Sequence, residues 1–428
     1  MSNPHPAAAA DLPRTVRPRV AITGLGAVTP LGLTAGASWE SLLAGRSGIG
    51  PITRFDASIL PVRIAGEVKE FQPETFMDRK EVRRTARVSH LVVAAVRMAL
   101  ADAGLPEPIP NPERVGTVVG TGAGGLEVVD RELTTLRTRG YDRVSPFALT
   151  GFLANMPAYH VSLVTGAHGP INTVVAACAS GAQAIADGVE LIRNGRADLV
   201  VAAGAEGLID LTAIGSFARI NALSTRNDDP ARACRPFDRT RDGTVLSEGA
   251  GALILERLDH ARARGATIYA EVLGHASSSD AYHITAPDPL AGGMVRALRW
   301  ALQDAGVEPQ QVDYINAHGT ATPLNDSLET VAVKAVFGED AYRIPISGSK
   351  ALLGHALGGA GAIEAIFCMF ALRDAIIPPT WNYGEPDPVC DLDYVPNQPR
   401  PAALTTVVSN SFAMGGHNTC LVFRRHNR

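Results

Sequence analysis

The sequence predicts an α/β protein with substantially parallel sheets, and three observations carry that prediction. Short β-branched runs alternate with helical patterns through the whole chain. Proline and glycine punctuate nearly every junction between them. The second half also looks like a degenerate copy of the first: QVDYINAHGT (311–320) has the form of ADLVVAAGAE (197–206), a strand ending in small residues. No Pro/Gly/Ser-rich linker divides the halves, so one body with packed halves is expected. The organisation is read as a disordered tail over residues 1–18, an N-terminal half over 19–266 and a C-terminal half over 267–428.

The elements follow in order. RVAITGLGAVTPLG (19–32) reads as a short strand ending in a close-packed glycine turn. Gly24 and Gly26 form a GxG, but Thr29 stands where a dinucleotide fingerprint needs glycine, so a nucleotide site is a weak reading. RVGTVVGTGAGG (114–125) is a strand running into a glycine loop. INTVVAACASGAQAIADG (171–188) is a strand meeting a helix, with Ile185, Val189 and Ile192 spaced along one face and an end near Asn194-Gly195. GTVLSEGAGALILERLDHARARG (243–265) reads as paired strands and a short basic helix. The second series starts at IYAEVLGHASSSD, from Ile268. LTTVVSNSFAMGGHNTCLVF (404–423) reads as two strands around a glycine turn.

Composition excludes several classes. The chain is 46% hydrophobic and 19% charged, ordinary for a globular protein. A net charge of −4 supplies no global field to draw nucleic acid or an anionic membrane. Five widely spaced cysteines without a CxxC argue against a disulfide framework or a zinc motif and fit a reducing compartment. No apolar run approaches the ~18 residues of a membrane span, and the first residues lack the basic and apolar regions of a signal peptide. A cytoplasmic location is expected.

Cys178 lies at the seam between strand and helix. It could be a small core residue, a metal ligand or a nucleophile. The helix start favours an anion there and should lower the thiol pKa, while Ala176, Ala177, Ala179 and Gly181 leave room for a substrate. His318 and His355 both lie in glycine-rich loops, where imidazoles could donate to a developing oxyanion or exchange protons. Lys350 precedes His355 by five residues and Glu329 follows His318 by eleven. These two could equally be a surface charge pair. Cys178, His318 and His355 could together bind zinc, but no two share a local spacing motif.

Seven stretches, in this order, carry a resemblance: VAACASGAQAIADG, STRND, RPFDRTRDG, SSDAYHITAP, NAHGTATPLND, SKALLGHALGGAGAIEA and NSFAMGGHN. The chain resembles the elongating β-ketoacyl-acyl carrier protein synthases, synthase II type, of the thiolase-like superfamily, from about Arg19 to Phe423. The resemblance implies two similar halves stacked as an α-β-α-β-α sandwich, and a decarboxylative Claisen condensation. In that reading Cys178 carries the acyl chain as a thioester. His318 and His355 promote decarboxylation of malonyl-carrier protein, and Lys350 and Glu329 orient them from behind. The N–H groups of Cys178 and Met414 form the oxyanion hole, with Thr320, Thr322, His283 and Thr285 positioning substrate. The chemistry calls for no metal and no cofactor. The implied partners are an acyl carrier protein and a second subunit, either an identical chain or a chain-length partner. Neither nucleic acid nor membrane is implied.

Departures from the family pattern bear on substrate choice. Ala123 stands where a bulkier residue commonly borders the acyl tunnel, and Met414 where a phenylalanine gates it. Thr244 replaces another phenylalanine, and Ala179 a hydroxyl residue. Phe217 and Phe412 complete the expected tunnel and gate. Fatty-acid elongation is the first reading, and the active subunit of a polyketide or polyene system the second. MDRKEVRRTARVSH (77–90) is a local basic patch. Arg79, Lys80, Arg83, Arg84 and Arg87 group on a helical face that is either simply solvated or, given an acidic carrier partner, its docking site.

Overall fold

A computed structural model describes residues 17–426. Ten strands form one hydrogen-bonded series. In the first half these are β1 (Val20–Val28), β2 (Val115–Gly120), β3 (Ile171–Val174), β4 (Leu199–Glu206) and β5 (Gly249–Arg257). In the second they are β6 (Ala270–Ser279), β7 (Tyr314–Asn316), β8 (Ile346–Ser347), β9 (Thr406–Ala413) and β10 (His417–Arg425). The order is β3-β2-β4-β5-β1 continuing into β6-β10-β9-β7-β8. Adding five to each label of the first half gives the second, and the pairing senses match as well. The expected duplication is thus present in the topology, but the two stretches compared in sequence are not copies: 197–206 holds β4, whose counterpart is β9, and 311–320 holds β7, whose counterpart is β2. The halves join where Val20–Ile22 pair with Ala270–Val272.

Five layers result. Helix α1 (Arg87–Asp102) covers the outer face of the first half, and α3 (Gly292–Ala305), with α4 (Pro323–Phe337) beside it, that of the second. Between the sheets lie α2 (Ser180–Arg193) and α5 (Ala360–Asp374), each touching strands of both halves. Their burial follows from sequence. Residues 360–372 are buried on every side, because AGAIEAIFCMFAL holds one charged residue among apolar and small ones. Ile185, Val189, Ile192, Phe367, Leu253 and Leu421 share the core between the sheets.

Several expectations change. The sheets are mixed: only β4-β2-β3 and β9-β7-β8 run parallel, and β5 and β10 enter antiparallel. β1 does not end at its glycines but passes through them, because α1 packs there. A Cβ on Gly26 would lie 2.0 Å from the carbonyl oxygen of Ala95, and one on Gly24 2.4 Å from that of Ala99. Residues 243–265 supply one long strand, not a pair. Leu246 and Ser247 instead form isolated bridges to His355 and Gly66, loops beside the site. The tail expectation falls on residues outside the described range, except that Arg17 is ion-paired with Asp304. Among the described residues no helix is long and apolar enough to cross a membrane.

The close approach of α1 to β1 makes Gly26→Ala a test of this packing. It should destabilise the protein by about 1–3 kcal/mol, read from denaturant or thermal unfolding; an unchanged midpoint would contradict the backbone contact.

Candidate active site

Cys178 sits where β3 turns into α2. Residues Ala177–Ala179 make a 3-10 turn, and Ala177 holds a left-handed φ of +46°. Such a conformation is strained for a residue with a side chain and persists where surrounding bonds enforce it. Ser180 supplies them: its hydroxyl accepts the Ala176 N–H at 2.8 Å and lies 2.7 Å from the Ala177 carbonyl. The Met414 N–H and the residue's own N–H bear on the Cys178 sulfur.

The two histidines converge on this point. The sulfur and one ring nitrogen of each histidine all lie within 4.8 Å of one another. The rings of His318 and His355 stand edge to face, 5.4 Å between centroids. A cavity of about 370 Å³ opens onto all three residues. Thr320, Thr322, Thr285, Thr244, Phe217, Phe412 and Met414 line it. Ala123 lies outside that lining and packs with Leu126 and Phe217 against the apolar cluster that includes Cys178.

Buried charges hold the loops. Lys350 is fully buried and pairs with Glu364 at 2.5 Å. It also donates to the His318 carbonyl at 2.5 Å and approaches His318 Nδ1 at 3.4 Å. That contact leaves the ring proton on Nε2. Glu329 accepts the N–H groups of His318 and Gly319, both at 2.9 Å, and the amide of Asn410 at 3.1 Å. It thus fixes the His318 backbone and not a ring, and Lys350 and Glu329 are neither paired nor on the surface. Among the described residues neither ring nitrogen of His355 has a hydrogen-bond partner. The His355 N–H donates to the Val245 carbonyl at 2.7 Å and the ring packs edge to face on His318, which leaves both nitrogens available to substrate.

Electrostatics correct one expectation. Burial pushes the Cys178 thiol up to about 11, although the Lys350 charge and the Met414 N–H pull the other way. Enclosure outweighs the helix start, so the resting group is a thiol. Burial and the Lys350 ammonium hold both histidines well below their usual value, so each is neutral. A neutral imidazole can take the thiol proton as the sulfur attacks. Cys178, His318 and His355 also offer the ligand number of a catalytic zinc. The ammonium beside His318 opposes a dication there, and among the described residues no carboxylate joins the set.

Two further expectations are corrected. His283 is exposed and outside the cavity; its Nδ1 accepts the N–H groups of Thr285 and Ala286 and shapes that loop. The basic patch is not one helix face. A four-residue helix (Arg79–Val82) ends before α1 begins at Arg87. Arg87 turns inward to buried Glu248, at 2.9 Å, and over Phe71. Arg79, Lys80, Arg83 and Arg84 stay exposed, with Arg84 near Glu81 and over Phe147. Sequence reading missed Glu364, Asn410 and Glu206. A signal existed for the acids: each is a lone carboxylate in an otherwise apolar or small-residue stretch.

This strand order, with the cysteine turn after the third strand and an imidazole pair contributed by the repeat, defines a thiolase-like acyl-transferring enzyme. Sequence profiles described as "Beta-ketoacyl synthase, N-terminal domain" and "Beta-ketoacyl synthase, C-terminal domain" match residues 17–261 and 269–384. The chain belongs to the beta-ketoacyl synthase family and is a ketosynthase. A 3-oxoacyl-[acyl-carrier-protein] synthase 2 of Synechocystis sp. is 48% identical over 95% of this chain and 98% of its own. The ishigamide ketosynthase/chain length factor superposes with a TM-score of 0.91 at 36% identity, covering 96% of this chain and 100% of that one. A type II PKS acyl-carrier protein in complex with its ketosynthase, bound to the hexaketide, gives a chain with a TM-score of 0.88 at 33% identity and the same coverage.

The Lys350–Glu364 pair is testable as a unit. Lys350→Met strands a buried carboxylate and should cost about 3–5 kcal/mol, whereas adding Glu364→Leu should return part of the loss. Additive losses in chemical denaturation would show that the two do not act together.

Proposed function

We propose that the chain extends acyl chains by two carbons in fatty acid biosynthesis. An acyl group passes from its carrier protein to the Cys178 sulfur, and a neutral imidazole accepts the thiol proton. The carrier thiol leaves protonated. Malonyl-carrier protein then enters. His318, donating from Nε2, and His355 hydrogen-bond the malonyl thioester oxygen, where charge grows as carbon dioxide departs. The resulting carbanion attacks the Cys178 thioester, with the N–H groups of Cys178 and Met414 holding the tetrahedral oxygen. Collapse expels the cysteine sulfur, which takes a proton from solvent to return to the thiol, and releases a 3-ketoacyl product on the carrier. The observation that carries this reading is the meeting of one thiol and two neutral imidazoles within 4.8 Å at the end of an apolar cavity. Donors ready before charge develops act mainly on the transition state.

In this reading Lys350 and Glu329 position the His318 loop, and Thr320, Thr322 and Thr285 bind the pantetheine arm and malonyl group. Phe217, Thr244, Phe412 and Met414 surround the acyl chain, with Ala123 behind them. The carrier protein docks on Arg79, Lys80, Arg83 and Arg84, and the enzyme acts in the cytoplasm as a homodimer. A second reading makes the chain the active subunit of a polyketide or polyene system, paired with a chain-length partner. Thr244 in the cavity wall and the likeness to the ishigamide ketosynthase/chain length factor favour it.

Intact-mass measurement after incubation with acyl-carrier protein tests the core of the proposal. Cys178→Ala should show no adduct; a persisting adduct would remove the nucleophile assignment. His318→Ala should still acylate and lose condensation by at least about a hundredfold. His355→Ala should lose condensation to the same degree and also acylate more slowly, because its ring is the one left to take the thiol proton; a wild-type condensation rate in either contradicts its role. Ala123→Phe should shorten the longest chain accepted on Cys178, and an unchanged length profile counts against Ala123 as a tunnel residue.

A further inference from the structure

Glu206 ends β4 beside the site, yet no step above uses it. It is fully buried. One carboxylate oxygen accepts the N–H of Gly122 at 2.8 Å and of Gly358 at 3.1 Å. The other accepts the Thr121 hydroxyl at 3.2 Å. Thr121 and Gly122 follow β2 in the first half, whereas Gly358 belongs to the second. One side chain therefore ties loops of both halves together.

Each loop leads directly to a reacting group. The Thr121 carbonyl lies 3.1 Å from the Ser180 hydroxyl that braces the Cys178 turn. Gly358 comes three residues after His355, and a Cβ on Gly181 of α2 would meet its carbonyl oxygen at 2.8 Å. A Cβ on Gly358 would come within 2.4 Å of the Gly122 nitrogen. The joint has no slack.

The duplication gives the joint a chemical meaning. Leu357–Gly359 is the second half's copy of Ala177–Ala179: a 3-10 turn whose first residue is left-handed, with φ +42°, opening a central helix. Gly358 holds the place of Cys178. The N–H that bears on sulfur in one copy is taken by the Glu206 carboxylate in the other.

We propose that Glu206 is a positioning residue: by filling the anion site of the second turn, it sets the separation of the Cys178 thiol and the His355 ring. This rests on Cys178 being the acylated nucleophile. The carboxylate also acts on the sulfur through space, since its charge raises the thiol pKa while Lys350 lowers it. The other titratable groups facing the sulfur, His318 and His355, are neutral. Burial pushes the Glu206 carboxyl up to about 7 against the pull of its donors. Between the ordinary carboxyl range and that value, rising pH therefore removes stability. A group kept for packing alone would not need to ionise.

Glu206→Gln separates charge from shape, because the Thr121 hydroxyl can turn to accept from the new amide while the amide oxygen keeps both N–H bonds. Glu206→Ala removes both. The measurements are the iodoacetamide alkylation rate of Cys178 against pH and the steady-state kinetics of condensation, with thermal unfolding alongside. The expected results are a lower alkylation midpoint for Glu206→Gln, and a kcat loss of at least roughly tenfold at little-changed KM for Glu206→Ala. An unmoved midpoint overturns the electrostatic part, and wild-type kcat in Glu206→Ala overturns the positional part. Should Glu206→Ala not fold, Thr121→Val removes one of the three contacts and should give a smaller kcat loss; no loss again overturns the positional part. Alkylation needs no acyl substrate, so a failure of Cys178 to accept an acyl group would be seen separately, as a failure of the nucleophile reading.

Discussion

Two helices meet backbone to backbone at the centre of this protein, and the rest of the architecture is arranged around that contact. A Cβ on Gly361 would lie 2.5 Å from the Ala182 nitrogen, and one on Gly204 2.7 Å from the Gly181 Cα. Side chains are excluded from these positions, so α2 and α5 start side by side between the sheets. Their opening turns carry Cys178 and Gly358; β3 leads into the first, whereas a short helix, Lys350–Leu353, separates β8 from the second. A cysteine placed there is held by main chain on several sides, which is why small residues surround it.

Charge is used sparingly in this interior, and desolvation decides its form. The thiol and both imidazoles are neutral at rest because each is enclosed. Glu329 is pushed up to about 7 by the same cause, despite two backbone donors. Among the described residues, Lys350 and Glu364 are the close buried ion pair beside the histidines. A site of neutral groups facing fixed N–H dipoles favours states in which negative charge appears on substrate oxygen.

Much of this was legible in the sequence because the informative residues are local in kind. Cys178 between a β-branched run and a helical pattern, and His318 and His355 among glycines, announce themselves by their neighbours. The repeat was suggested by the shared form of residues 197–206 and 311–320, although these are β4 and β7, which the topology matches to β9 and β2 and not to each other. What escaped depends on tertiary contact. The length of β1 is set by α1 lying on Gly24 and Gly26, which look like a turn in isolation. Arg87 reads as a surface charge until Glu248, far along the chain, is brought beneath it. The thiol's protonation depends on how completely the second half covers Cys178, and no local pattern encodes that. His283 matched by motif, but its ring is spent on its own loop.

The short ladder between Val20–Ile22 and Ala270–Val272 has a mechanical outcome. Together with the glycine contacts of α2 and α5 it stitches the halves together through main chain, so that parting them would break backbone hydrogen bonds and uncover the shared core. A long, greasy chain cannot be admitted by opening the molecule like a book. It must be threaded past the rim, so the pace of entry and exit belongs to the side chains and loops at the mouth.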